Sequence, residues 1–258
     1  MTRHDTADNP PAERVLGVLG GMGPQASADF LSKLVAATPV RSEQEHLRVL
    51  LDSNAKVPDR NAAIAGKPGA ADPGPVLAGM ARGLEQAGAG FLVMACNTAH
   101  AFEDEVRAAV AIPFVSMVEE ACDACTRTHA GLRRVGVLAA QGCLDAGLYQ
   151  RALERRGYQC LLLPAALQAE FMQVLYRIKV GEPLGPIRQD MQRLGHWLVE
   201  AGAEVLIAGC TEVPLVLDDG DLPRPLLDAT ANLAQRCVAY ARGTEALPAA
   251  PTLSPIHS

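Results

Sequence analysis

The sequence predicts an α/β protein: two similar, pseudo-symmetric α/β domains with parallel-sheet cores and a shared active-site cleft between them. Three observations carry this. Short apolar runs fit for buried strands alternate with segments of helical spacing, the pattern of βαβ units. Two cysteines, Cys96 and Cys210, close two of those runs in matching settings. Finally, apolar residues make up 49% of the 258 residues but aromatics only 4%, an Ala/Leu/Val/Gly-rich balance that fits α/β better than all-β.

Taken in order, the first strand is Val15–Leu19, an apolar run that enters the glycine-rich turn Gly20-Gly-Met-Gly23. Helical spacing follows over Ala26–Ala37, then a strand over Leu47–Leu51 that ends before Asp52. Val76–Ala87 is the next helix. Phe91–Ala95 is a strand leading directly into Cys96, and Phe114–Ser116 a short one after it. The second half repeats the alternation: strand Val135–Ala139, helix Leu148–Arg156, strand Leu161–Leu163, helix Ile187–Ala201 and strand Val205–Ala208. A last helix is expected over Leu227–Ala241. The division that results is a first domain over 13–116, a second over 117–225, and a C-terminal helix within 226–243 packing back on the first. Residues 1–12 and 244–258 are polar or Pro/Ala-rich and read as disordered tails.

The halves also echo each other in detail. Gly17-Val-Leu-Gly-Gly-Met-Gly23 is matched by Gly136-Val-Leu-Ala-Ala-Gln-Gly142, and the cysteines follow at 79 positions (Gly17 to Cys96) and 74 (Gly136 to Cys210). Open α/β sheets place their sites beyond the carboxyl ends of strands, so two such domains face to face bring both thiols to one interface. A single cysteine of this kind is usually a packing residue. A facing pair is different: one thiolate removes a proton from a carbon acid and one thiol returns a proton on the other face. A helix beginning just after each cysteine would lower its pKa and supply free N–H groups.

Composition narrows the partners. A net charge of −6, with basic residues scattered, argues against a nucleic-acid surface. No apolar run approaches the roughly 18 to 20 residues that span a membrane, and Met1 to Glu13 does not resemble a signal sequence. Seven cysteines form an odd set without disulfide-scaffold spacing, so a cytoplasmic chain with reduced thiols is expected.

Four segments, in order, are more specific: Gly20-Gly-Met-Gly-Pro-Gln-Ala26, Val57-Pro-Asp-Arg60, Ala95-Cys-Asn-Thr-Ala-His100 and Gly209-Cys-Thr-Glu212. Together they resemble the signature segments of the aspartate/glutamate racemase family, over a span from about Val15 to Ala241. Glu212 after Thr211 is similar to the aspartate racemase branch, where cell-wall glutamate racemases usually carry His. The resemblance implies cofactor-independent racemisation of an acidic amino acid, aspartate first and glutamate second, by two cysteines, with no metal and often as a homodimer. Carried over, Cys96 and Cys210 are the two bases, and Asn97, Thr98 and Thr211 hold the α-carboxylate and ammonium. Glu212 joins this substrate-binding set. Arg60 reads the distal carboxylate, a role its planar fork suits. Lys179 resembles the family's lysine near a helix end that reaches the same carboxylate, although Leu175 stands where an aromatic residue is expected. Met22 and Gln25 of the first turn form the cleft floor, and Asn54 is a weaker candidate for its lining.

Rival readings keep the fold and change the chemistry: a hydantoin racemase or maleate isomerase, or an arylmalonate decarboxylase, which uses one cysteine and is disfavoured by two. A non-catalytic binder of acidic ligands is a rival of another class. Gly21-x-Gly23-x-x-Ala26 also fits a dinucleotide fingerprint, but Pro24 interrupts it and Asp52 lies 29 residues after Gly23 rather than about 20. Cys122-Asp-Ala-Cys125 has metal or redox spacing without a second pair. Cys143, Cys160 and Cys237 read as packing residues. His100, four after Cys96, is placed either to tune that thiol or to make a structural hydrogen bond.

Overall fold

A computed structural model describes residues 13–129 and 131–248. Among these residues eight strands form two four-stranded sheets, parallel throughout. The first contains β1 (Leu16–Gly20), β2 (Val49–Ser53), β3 (Phe91–Met94) and β4 (Phe114–Val115) in the order β2-β1-β3-β4. The second contains β5 (Arg134–Ala139), β6 (Gln159–Leu161), β7 (Val205–Gly209) and β8 (Leu226–Asp228) in the order β6-β5-β7-β8. The same order recurs, so β3 and β7 are equivalent strands.

The helices are α1 (Pro24–Ala37), α2 (Arg60–Ile64), α3 (Gly74–Gln86), α4 (Glu103–Ala109), α5 (Met117–Thr128), α6 (Gln141–Asp145), α7 (Leu148–Glu154), α8 (Ala165–Lys179), α9 (Leu184–Glu200) and α10 (Ala229–Ala241). Strand periodicity decides what they cover. Leu16, Val18, Phe91 and Val93 point to one face of the first sheet, where they join Val135, Val137, Val205 and Ile207 of the second in a central core with residues of α1, α5, α7 and α10. The alternate residues Leu19, Leu92 and Met94 meet α3, and Leu138, Leu206 and Ala208 meet α8 and α9. Strands covered on both faces must be apolar throughout, which is why their sequences are continuous rather than alternating runs. Each fully buried Phe or Leu contributes roughly 1.5–3 kcal/mol.

α10 lies against α1 and α5, and the Arg14 N–H donates to Ala241 O at 2.9 Å. Four expectations need correction. β2 starts two residues after Leu47, and β6 begins two residues before the Leu161–Leu163 run and shares only Leu161 with it. Residues 226–228, expected at the start of the terminal helix, are strand β8. Residues 244–248, expected as tail, remain attached: the Thr244 and Glu245 N–H groups donate to Ala239 O, and Glu245 pairs with Arg236. Residues 1–12 and 249–258 lie outside the described part. Among the described residues, no helix is long and apolar enough to cross a membrane.

Candidate active site

Cys96 follows β3 by two residues and Cys210 follows β7 directly, so equivalent strand ends carry the thiols. Both are nearly buried, at 6% and 5% exposure, each packed on one side against the apolar core of its own half. The helices expected to start behind them are instead short 3₁₀ turns, Thr98–Phe102 and Val213–Leu215. Three to five residues of this tighter helix do not build a macrodipole, and that source of thiol activation is absent.

Side chains set the environment of Cys210 instead. Its Sγ–H donates to Glu212 Oε2 at 2.9 Å. Burial first, then the Glu212 carboxylate, push the Cys210 thiol well above its ordinary pKa, with Lys179 pulling the other way. Cys210 therefore rests as a thiol whose proton already has an acceptor. Glu212 is 3% exposed. It also accepts from Thr211 Oγ1 at 3.3 Å and lies 3.7 Å from Lys179 Nζ at the end of α8. Burial opposes the charge on Lys179, but Glu212, then Cys210 and Cys96, more than offset this and raise its pKa; Arg60 acts against them. One ammonium thus lies in the field of both thiols.

Cys96 is held through its backbone. Its carbonyl accepts from His100 Nδ1 at 2.9 Å, and His100 Nε2 accepts from the Met117 N–H at 3.0 Å. These partners fix the tautomer, and burial lowers the imidazole's pKa, so His100 is a neutral clamp that touches no sulfur. The next residue, Asn97, accepts from the Tyr149 hydroxyl at 2.7 Å through Oδ1, while its Nδ2 is buried with no protein partner.

Arg60 opens α2, whose N-terminus Asp59 caps by accepting from the Asn61 and Ala62 N–H groups at 2.8 and 3.3 Å. Arg60 Nη1 donates to Val57 O at 3.1 Å and Pro58 O at 2.9 Å; Nε is buried without a partner. Half the guanidinium is anchored, and one edge is left for an anion. Asn61 Oδ1 accepts from the Gly142 N–H of the other half at 2.9 Å. A Cβ on Gly142 would fall 2.8 Å from that oxygen and 3.1 Å from Thr98 Cγ2, so only glycine permits this approach.

A cavity of about 250 Å³ between the halves is lined by Met22, Gln25, Arg60, Lys179 and Glu212, among others. The structure thus gathers five of the nine predicted binding residues at one cavity. Asn97, Thr98 and Thr211 follow the cysteines in the chain and, like Cys96 and Cys210 themselves, do not line that cavity; the Thr211 hydroxyl is committed to Glu212. Asn54 is not brought in: its Oδ1 accepts from the Lys56 N–H in its own turn, and its backbone lies against Gly21. Glu212 Oε1 would sit 3.7 Å from a Cβ on Gly23. A carboxylate there repels a pyrophosphate, which removes the dinucleotide reading. Cys122 and Cys125 point into the core from α5; burial raises Cys125 to about 12 and Cys122 further. Sequence reasoning missed Asn61 and Tyr149, whose roles depend on partners in the other half. The one available signal was a phenol inside an apolar helical segment, which requires a partner when buried.

The family model described as Asp/Glu/Hydantoin racemase matches residues 19–237. The broad specificity amino-acid racemase RacX of Bacillus subtilis (strain 168) is 26% identical over 235 residues, 87% of this chain and 96% of that protein. Among solved structures, Picrophilus torridus aspartate racemase superposes with a TM-score of 0.77 at 24% identity, covering 88% of this chain and 94% of that one. Glutamate racemase from Francisella tularensis subsp. tularensis SCHU S4, in complex with D-glutamate, gives 0.66 at 18% identity over 93% and 85%. At these identities the two structures show a shared fold.

Proposed function

Because the chain belongs to the Asp/Glu/Hydantoin racemase family, we propose that it racemises an acidic amino acid, aspartate before glutamate, by passing the Cα proton between Cys96 and Cys210. The observation that carries this reading is geometric: Cys96 and Cys210 follow equivalent strands, β3 and β7, and Glu212, which lines the cavity between the halves with Arg60 and Lys179, accepts from the Cys210 thiol at 2.9 Å.

In one direction Glu212 takes the Cys210 proton, and the thiolate then removes the Cα hydrogen. Cys96 delivers its own proton to the opposite face and is left as thiolate. After product leaves, Glu212 releases its proton and Cys96 regains one from solvent. In the other direction the Cys96 thiolate abstracts and the Cys210 thiol donates. Charge that builds on the α-carboxylate during carbanion formation needs preorganised donors, a role assigned in this proposal to Asn97 Nδ2, which has no protein partner, and to Thr98. The free Nε edge of Arg60 suits the distal carboxylate. The chemistry proposed needs no electron transfer.

A larger groove shares Gln25, Ile178, Lys179 and Leu215 with that cavity and is also walled by Val180 and Leu184. Those apolar walls favour a second reading, acceptance of longer side chains as well. Comparing kcat/KM for aspartate with that for leucine and lysine separates the two.

The direct test incubates pure L- or D-aspartate in heavy water and follows optical rotation and α-deuteration. Wild type should racemise and deuterate together, and Cys96→Ala or Cys210→Ala should abolish racemisation. A wild type inert toward every acidic amino acid would refute the assignment, and full activity in either cysteine variant would remove the two-base mechanism.

A further inference from the structure

We infer that Tyr149 is a positioning residue for the reaction: it bridges the two thiol turns and fixes the Asn97 side-chain amide with its N–H donors free for the substrate. This rests on the racemase reading above and adds a residue to it.

Two contacts on one fully buried side chain support the assignment. Tyr149 belongs to α7 in the second half, at 0% exposure. Its ring lies against Gly209, the last residue of β7, so closely that a Cβ there would fall 2.8 Å from Tyr149 Cε2. Gly209 immediately precedes Cys210. Its hydroxyl reaches the first half and donates to Asn97 Oδ1 at 2.7 Å, immediately after Cys96. A single rigid ring therefore spans from the strand that carries one thiol to the turn that carries the other.

The bond also selects between two orientations of the amide. With Oδ1 taken by the phenol, the Nδ2 group is the part left over, and it is buried without any protein partner. An unpaired buried donor is costly and calls for an explanation. A substrate carboxylate supplies one: two N–H donors already aimed, with no reorganisation when charge develops. Were the amide free to turn over, its oxygen would face that carboxylate instead. Burial also pushes the phenol well above its usual pKa, so it remains a donor over the whole working range.

The experiment uses steady-state racemisation of L- and D-aspartate by wild type, Tyr149→Phe, Asn97→Ala, the double variant and Asn97→Asp, with thermal melts of each. Phe keeps the ring on Gly209 and removes only the hydroxyl. Tyr149→Phe is expected to melt close to wild type and to lose about ten- to a hundredfold in kcat, a part of the 10² to 10³ typical for a lost oxyanion donor, with KM changed by less. In the Asn97→Ala background the same change should cost nothing more. Asn97→Asp, which keeps an acceptor for the phenol but has no donor, should be at least as inactive as Asn97→Ala. A purely structural tyrosine predicts the reverse: a lower melting temperature and losses that multiply in the double variant. Wild-type activity with an unimpaired Tyr149→Phe, multiplying losses, or an active Asn97→Asp would each overturn the inference alone. A wild type that racemises no acidic amino acid overturns the racemase reading and this inference with it.

Discussion

Replacing Lys179 by Met should slow racemisation, because Lys179 is the cation paired with Glu212, the hydrogen-bond acceptor of the Cys210 thiol. Its Nζ lies 3.7 Å from Glu212 Oε1. At that separation two unit charges interact by about 4.5 kcal/mol at an effective dielectric of 20 and by about 1.1 kcal/mol in water. The lysine side chain is 29% exposed and the glutamate 4%, so the pair lies between these limits. Removing the cation should therefore forfeit an interaction between those limits, a loss of roughly tenfold to a thousandfold in kcat at 1.36 kcal/mol per factor of ten. The loss falls on kcat because the cation stabilises the thiolates that the proposed reaction forms beside Glu212. Lys179 stays charged across the assay range, because its own pKa is raised from 10.5, with burial outweighed by Glu212, Cys210 and Cys96. Its charge is complete below that value and is lost only as the pH passes above it. The assay is polarimetric racemisation of aspartate for wild type, Lys179→Met and Lys179→Arg, the last retaining the charge and most of the rate. If Lys179 instead read the substrate carboxylate, Lys179→Met would raise KM and leave kcat near wild type. A kcat for Lys179→Met equal to that of wild type would refute the argument.

Arg60→Lys forfeits the fork that anchors Nη1 on Val57 O and Pro58 O while leaving Nε free. KM for aspartate should rise roughly ten- to a hundredfold, the equivalent of about 1.5–3 kcal/mol for charge-assisted hydrogen bonds, and an unchanged KM would exclude Arg60 as the carboxylate reader. His100 has a pKa lowered by burial from 6.5, so the unfolded chain takes up the proton first and stability falls as pH drops below that value. Urea midpoints should show this loss in wild type and a smaller one in His100→Gln; equal slopes would reject the neutral-clamp role. Asn61→Ala leaves the Gly142 N–H without its cross-half acceptor. Thermal and urea unfolding should register a loss of about 1–3 kcal/mol, and no change would show that this bond contributes nothing to joining the halves.

Legibility in the sequence followed local hydrophobic pattern. β1, β3, β5 and β7 are buried on both faces, so their apolar runs are continuous and their ends mark where the site lies. The edge elements were misread for the same reason. β8 has three residues, too few for any period, and Leu161-Leu-Leu163 is apolar because it packs, although the ladder bonds fall on Gln159–Leu161. Polar residues after each cysteine have the character of helix N-termini, but each precedes a 3₁₀ turn that no side chain caps. Asn54 has the residue type of a ligand reader and spends its oxygen on a turn two residues away, a local competition that composition does not expose. Asn61 and Tyr149 reach partners 81 and 52 positions distant. No nearby pattern encodes such a pairing.

A symmetric scaffold with unequal thiols has a physical rationale in the charges of the cleft. The repeated strand order places Cys96 and Cys210 at equivalent ends, yet Thr-Glu follows one and Asn-Thr the other. Glu212 brings one carboxylate, which Lys179 offsets; Arg60 remains to offset either a thiolate or the substrate's second carboxylate. A carboxylate beside Cys96 as well would leave two fixed anions, a thiolate and an acidic substrate facing two cations in a mostly buried site. The neutral amide of Asn97 and the neutral imidazole of His100 avoid that excess and still hold the Cys96 turn. Proton acceptance is thus concentrated in the second half and neutral hydrogen-bond donation in the first. In the proposed reaction the duplicated fold supplies one strand end per thiol, while the residues after each cysteine keep the sum of charges within what Arg60 and Lys179 can stabilise.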